Sequence, residues 1–220
     1  MPEPTVAELM SRRVITVGPD AGFKELAGTM ITHELSAVPV IDATGCPLGV
    51  VTERDLLTKL EFHGGTDTAP LLVGSACRTR WRKSAALIAA DLMTAPAITA
   101  ADTRAGVAAH TMVSHRLCVL CVVDGDGRLI GVITRADLIR LFLRCDDAIQ
   151  AEVEQDLADT ARPLHQVTVH VAEGIVTLEG TLTLHSTTAA AGRIAHHVPG
   201  VLAVHNNIRY DVDDQMITGM

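Results

Sequence analysis

The chain has 220 residues, 48% of them apolar but only 2% aromatic, so its cores must be aliphatic; the length suits one to two average domains, or three small ones. Its longest apolar run, Leu117 to Val123, is far short of the roughly 20 residues of a membrane-spanning helix, and the start, Met1-Pro2-Glu3-Pro4-Thr5-Val6, lacks the basic and apolar regions of a secretory signal, so a cytoplasmic protein is expected. The formal charge of −8 lies wholly in the C-terminal third, where residues 146–220 hold 3 Lys/Arg against 11 Asp/Glu while residues 1–145 hold 15 of each, a distribution that argues against nucleic acid and weakens attachment to anionic lipid.

In chain order, a short helical lead-in at Leu9-Met10-Ser11 precedes a short strand around Ile15 to Val17 and an amphipathic helix from Phe23 to His33. Two strands follow, Ala37 to Ile41 and Leu48 to Val51, joined by a turn containing Asp42 and Gly45, and a closing helix begins after Thr52. An insertion from about Glu61 to Ala89 opens with Gly64-Gly65-Thr66-Asp67-Thr68. It carries the basic cluster Arg78, Arg80, Arg82 and Lys83 around the sole tryptophan, Trp81. The cluster reads either as a solvated helix start whose Trp covers a core edge, or as a site for a phosphate or an acidic partner, with the acidic C-terminal third one such partner.

The order then repeats. A lead-in at Leu92-Met93-Thr94 is followed by a strand at Ile98-Thr99, a helix from Arg104 to His115, and strands Val119 to Val123 and Leu129 to Ile133 around an Asp124-Gly-Asp-Gly127 turn. Cys118 and Cys121 fall in one apolar strand run, where residues three apart point to opposite faces; both read as buried small hydrophobes, and five cysteines at irregular spacing give no disulfide framework. Beyond Cys145 come an acidic helix from Asp146 to Ala161, strands Val167 to Val171 and Ile175 to Leu178 around Ala172-Glu173-Gly174, a helix from about Ser186 to His197 capped by Ser or Thr, and a strand from Val201 to Ile208.

The duplication is explicit in Gly49-Val50-Val51-Thr52-Glu53-Arg54-Asp55-Leu56, which recurs as Gly131-Val132-Ile133-Thr134-Arg135-Ala136-Asp137-Leu138 with five of eight positions identical. Two copies are too few for an open solenoid, which needs about three, so a closed pseudo-twofold pair is expected. The G-h-h-T-x-x-D-L motif in both copies, the Leu-Met-Ser/Thr lead-ins and Val38-Pro39-Val40-Ile41-Asp42 make residues 5–144 resemble a tandem CBS-domain pair, also called a Bateman module. Gly174-Ile-Val-Thr-Leu-Glu-Gly180 and Val198-Pro-Gly-Val201 make about residues 147–213 resemble a BON domain. The resulting expectation is an α/β (α+β) protein with two β-α-β-β-α repeats at 5–60 and 90–145, an insertion at 61–89, and a small α/β BON-like domain at 147–213.

The CBS resemblance implies that the paired repeats pack their sheets together and leave two clefts for adenosine-type ligands such as AMP, ADP, ATP or S-adenosylmethionine. Its ribose-binding Thr and Asp map to Thr52 and Asp55, and to Thr134 and Asp137. A carboxylate can accept hydrogen bonds from both ribose hydroxyls, a helix N-terminus favours phosphate, and Gly49 and Gly131 let a ligand approach the backbone. Thr followed by Asp at a helix start is equally a capping pair, and both readings stand. Thr16, Val38 and Pro39, then Thr99, Leu120 and Cys121, occupy the positions of the adenine walls. Nucleotide-sensing members often carry a basic pair before the middle strand, but here Ser36-Ala37 and Cys118-Val119 stand there. Arg54 and Arg135 remain as phosphate candidates, which favours adenosine, a monophosphate or S-adenosylmethionine over a triphosphate.

For the tail, the BON resemblance implies contact with phospholipid or another macromolecule, with Gly180 as a turn or bulge. Six of ten histidines, His165, His170, His185, His196, His197 and His205, lie there without zinc spacing; protonating them would raise lipid affinity below about pH 6. Gly125, Gly127 and Gly131 precede a strand and miss the dinucleotide fingerprint, and the Asp124 loop lacks the bidentate Glu of a calcium site. The expectation is a non-catalytic regulatory protein that needs no cofactor or metal, binds an adenosine-containing metabolite, signals through its BON-like tail or to a protein partner, and forms a homodimer. The alternative is a ligand-free dimerising scaffold whose tail binds phospholipid or protein.

Overall fold

The structure, a computed structural model, describes residues 3–63, 74–160 and 166–214. Gly64 to Thr68 of the insertion and His165 lie outside these residues. The chain divides into two compact units, one of Thr5–Arg135 and one from Ala136 onward.

In the first unit, helix α1 (Val6–Leu9) is followed by α2 (Phe23–Thr32), strands β1 (Ala37–Ile41) and β2 (Pro47–Thr52), and α3 (Glu53–Glu61). Then come α4 (Ser75–Ser84), α5 (Ala89–Leu92), β3 (Ile98–Ala100), α6 (Ala105–Ser114), β4 (Val119–Val123) and β5 (Leu129–Thr134). The two hairpins are near copies. Asp42 Oδ1 accepts the amides of Thr44 and Cys46 and the Thr44 hydroxyl, while Asp124 Oδ1 accepts the amides of Asp126 and Arg128. Gly45 and Gly127 supply the positive φ (+88° and +79°), and each pair slips register at the same place, after Val40 and after Val122.

The strand expected at Ile15 to Val17 is only a single parallel bridge, Val17 to Val40, whereas its counterpart β3 is a strand paired with β4. The reason lies in one residue: the Cys121 amide donates to Ala97 O at 2.8 Å, and its counterpart Pro39 has no amide to give. Cys118 falls just outside β4, and Cys121 is fully buried within it.

The repeats exchange their lead-ins. The amides of Val6 and Ala7 donate to Thr103 O and Ala101 O, while those of Ala89 and Ala90 donate to Ala21 O and Pro19 O. Ser11 bridges Val132, and Thr94 bridges Val50. Val50 of β2 and Val119 and Cys121 of β4 share one apolar cluster, so neither sheet covers its own face without the other repeat.

In the second unit, α7 (Arg135–Ile139, opened by the last residue of the first unit) runs into a 3-10 turn at Arg140–Leu143, then α8 (Asp146–Ala158), β6 (Val167–Ala172), β7 (Ile175–Leu184), α9 (His185–His197) and β8 (Ala203–Val212). The sheet order is β6-β7-β8, antiparallel then parallel, over a core that includes Ile149, Val153, Leu178, Ala191 and Ile208. Gly180 is no turn: β7 continues through it at φ +146°, and an added Cβ would stand 2.5 Å from Gln166 O. The start of α9 is not capped by its own Ser or Thr. Asp214 accepts both the amide and the hydroxyl of Ser186, at 2.9 and 2.5 Å.

Candidate functional site

Thr52 ends β2 and opens α3, and the β-to-helix switch places Asp55 on the first turn facing back toward it. Asp55 Oδ2 accepts the Thr52 amide at 2.9 Å and its hydroxyl at 2.7 Å, the hydrogen-bonding of a helix cap. Oδ1 accepts the ammonium of Lys83 at 2.6 Å, and Lys83 Nζ also donates to Thr94 Oγ1 at 2.7 Å. The side chains of Lys83 and Asp55 are only 10% and 13% exposed. Both oxygens of the expected ribose carboxylate are therefore engaged inside the protein.

Lys83 reaches this point because α4 packs along α3. Arg80 meets Glu61 at 3.3 Å, and Lys59 donates to Ser84 O at 2.9 Å while its ammonium lies 4.9 Å above the Phe23 ring. The basic cluster thus runs to the last turn of α4, where cations complement the helix dipole, instead of marking a helix start. The acids met by Arg80 and Lys83 belong to α3, not to the C-terminal third. A cavity of about 560 Å³ opens beside this helix, with Thr79, Arg82, Lys83, Asp91 and Met93 in its lining. Lys83 is visible in the sequence as one of a basic cluster, and nothing in that pattern aims it at a motif 28 residues away.

The glycines before the two motifs serve a different contact from the one expected. A Cβ on Gly49 would lie 2.6 Å from Met93 Sδ, and one on Gly131 2.6 Å from Met10 Sδ. Each glycine admits the lead-in methionine of the other repeat. Of the expected adenine walls, Val38, Pro39, Leu120 and Cys121 are buried, and Thr16 and Thr99 are half-buried; Thr99 bonds Thr103 at 3.0 Å. Burial pushes the Cys121 thiol up to about 11.

In the second copy, Thr134 ends β5 half-buried, and Arg135 spends its Nε–H on Leu117 O at 2.6 Å. Arg54 is exposed. Asp137 is 6% exposed and belongs to the second unit, where its Oδ1 meets Arg140 Nη1 at 2.7 Å. The guanidinium comes from the same short segment, three residues on, and its side chain is 70% exposed.

The second unit is stitched by carboxylates and Arg144. Asp146 accepts the amides of Glu173 and Gly174, both at 2.8 Å, and Arg144 joins Pro199 O to Glu152. His170, His196, His197 and His205 are exposed, and His185 packs on Tyr210 with Asp213 3.6 Å away. No cluster of three or more metal-ligating side chains exists among the described residues, and no helix among them is long and apolar enough to cross a membrane.

A duplicated unit of helix, hairpin and closing helix, with exchanged lead-ins and paired Thr-Asp helix starts, defines a class of fold, and family models agree. The CBS domain model matches residues 6–61 and 89–144, and the BON domain model matches residues 146–211. The chain belongs to the CBS-domain family, as a CBS pair followed by a BON domain.

Among its relatives are an uncharacterized protein of Methanopyrus kandleri, 28% identical over 70% of this chain and 68% of that protein, and the CBS domain-containing protein CBSX1, chloroplastic, of Arabidopsis thaliana, 28% identical over 64% of each. The chain therefore spans just under two thirds of the plant relative's length. The crystal structure of Arabidopsis CBSX2 in complex with AMP superposes with a TM-score of 0.55 at 28% identity, covering 63% of this chain and 96% of that one. The CBS domain pair of protein MJ0100, in complex with 5′-methylthioadenosine and S-adenosylmethionine, shares the fold with a TM-score of 0.51 at 23% identity.

Proposed function

We propose that this chain is a non-catalytic regulatory protein whose CBS pair binds an adenosine-containing metabolite and whose BON domain, or a protein partner, receives the signal. The observation that carries this reading is the likeness to CBSX2, crystallised with AMP, together with a Thr-Asp helix start in each repeat of this chain. Thr52 and Asp55, and Thr134 and Asp137, are the proposed ribose contacts. Thr16, Val38 and Pro39, and Thr99, Leu120 and Cys121, are the proposed walls, with Arg54 and Arg135 near the phosphate; the burial of most wall residues makes backbone groups the adenine contacts.

Ligand acts by population shift, through its differential affinity for two packings of the repeats. The test is thermal shift of the full chain with AMP, ADP, ATP, S-adenosylmethionine and NADH. A true ligand at about 100 times its dissociation constant adds roughly 2.7 kcal/mol. A flat response to the whole panel contradicts the reading.

We also propose a homodimer through the CBS pair. Ile31 at the end of α2 and Val113 at the end of α6 occupy corresponding positions in the two repeats, and they are 81% and 78% exposed. These exposed apolar side chains give a surface that a second copy of the chain can cover by an isologous contact.

A further inference from the structure

We infer that Lys83 of α4 is a latch that shuts the Asp55 site against adenosine ligands; this rests on the ligand reading above. An ammonium is buried only at a cost, which a paired carboxylate offsets, and a buried ion pair is poor evidence of stabilisation in itself. Here the pair is not needed to cap α3, because Thr52 already fills Oδ2 with its amide and hydroxyl. Lys83 instead donates to the other oxygen, at 2.6 Å, and also to Thr94 Oγ1 at 2.7 Å.

A sugar diol docking on Asp55 must displace that ammonium. The displacement also loosens α4, which Lys59 and Arg80 fasten to the same face. Asp137 of the second motif meets Arg140, three residues along and mostly in solvent, at 2.7 Å. A ligand at Asp55 then binds with its intrinsic affinity reduced in proportion to the fraction of molecules that are unlatched.

Lys24, Lys59 and Lys83 are the only lysines in the chain, so acylation can be followed residue by residue. In the full-length native protein treated with an N-hydroxysuccinimide acetate and mapped by mass spectrometry, Lys83 is expected to react at least 10-fold more slowly than the exposed Lys24, and Asp55→Asn is expected to remove most of that protection. In calorimetric titration with AMP, Lys83→Ala is expected to bind one more AMP per chain than wild type, and the added equivalent to vanish in Lys83→Ala/Asp55→Ala.

Equal reactivity of Lys83 and Lys24 overturns the latch without reference to any ligand, and does so even if Lys83→Ala fails to fold. Wild-type binding with no gain in Lys83→Ala overturns the latch while leaving the ligand reading standing. Absence of AMP binding in both proteins, with Lys83 protected, overturns the AMP form of the ligand reading and the proposal with it.

Discussion

Asp55 and Cys121 show how surroundings fix what a side chain can do. Removing the cation from a buried pair strands a carboxylate, which costs about 3 kcal/mol or more, whereas removing both charges restores much of that. Lys83→Met should therefore lower the stability of the first unit by about 3 kcal/mol, and adding Asp55→Asn should recover most of the loss. Urea unfolding followed by the fluorescence of Trp81, the sole tryptophan and a residue of α4, reads this directly. Equal losses in the single and double variants would show that the pair is not coupled. Cys121, fully buried with its thiol pushed up to about 11, should resist an aromatic disulfide reagent at pH 8 until denaturant is added, while exposed Cys145 reacts at once. Prompt reaction of both would contradict the packing of β4.

At the scale of elements, the exchanged lead-ins hold the repeats together. Gly49→Ala and Gly131→Ala should each destabilise by roughly 1 to 3 kcal/mol through overpacking against Met93 and Met10. Gly49→Ala/Met93→Ala should cost less than the sum of its single changes in thermal melts; strict additivity would mean that the two do not meet. The cap of α9 carries a pH signature. Asp214 is held below its ordinary 3.8, first by the Ser186 hydroxyl and then by the Ser186 amide. Its stabilisation is therefore full above that ordinary value and lost as pH falls through the lowered one. Asp214→Asn should melt earlier than wild type at neutral pH and together with it near pH 2; a gap unchanged by acid would exclude the cap.

These same elements mark what was legible. Two hairpins, two amphipathic helices and the Thr-Asp helix starts follow from period and turn chemistry in Asp42 to Gly45 and Asp124 to Gly127. Pro39 could have warned that the first strand would lose its partner, since the missing amide is written in the residue. The Met93 to Gly49 and Met10 to Gly131 contacts were hidden because each joins one repeat to the other. Lys83 on Asp55 was hidden because an insertion intervenes, and Asp214 on Ser186 because they stand 28 residues apart, with most of α9 and all of β8 between them in the chain.

For the whole molecule, duplication gives two copies of the Thr-Asp helix start, and the insertion supplies Lys83 to the first of them. If Ile31 and Val113 form a symmetric contact, the protein sediments as a dimer and Ile31→Lys/Val113→Lys as a monomer; a wild-type monomer at micromolar concentration contradicts that contact. The central claim is that the paired Thr-Asp helix starts hold an adenosine ligand. Its most direct test is calorimetric titration of AMP into the full chain and into Asp55→Ala/Asp137→Ala. Saturable heat in wild type and none in the folded double variant is the predicted result, and undiminished binding in the double variant would contradict it.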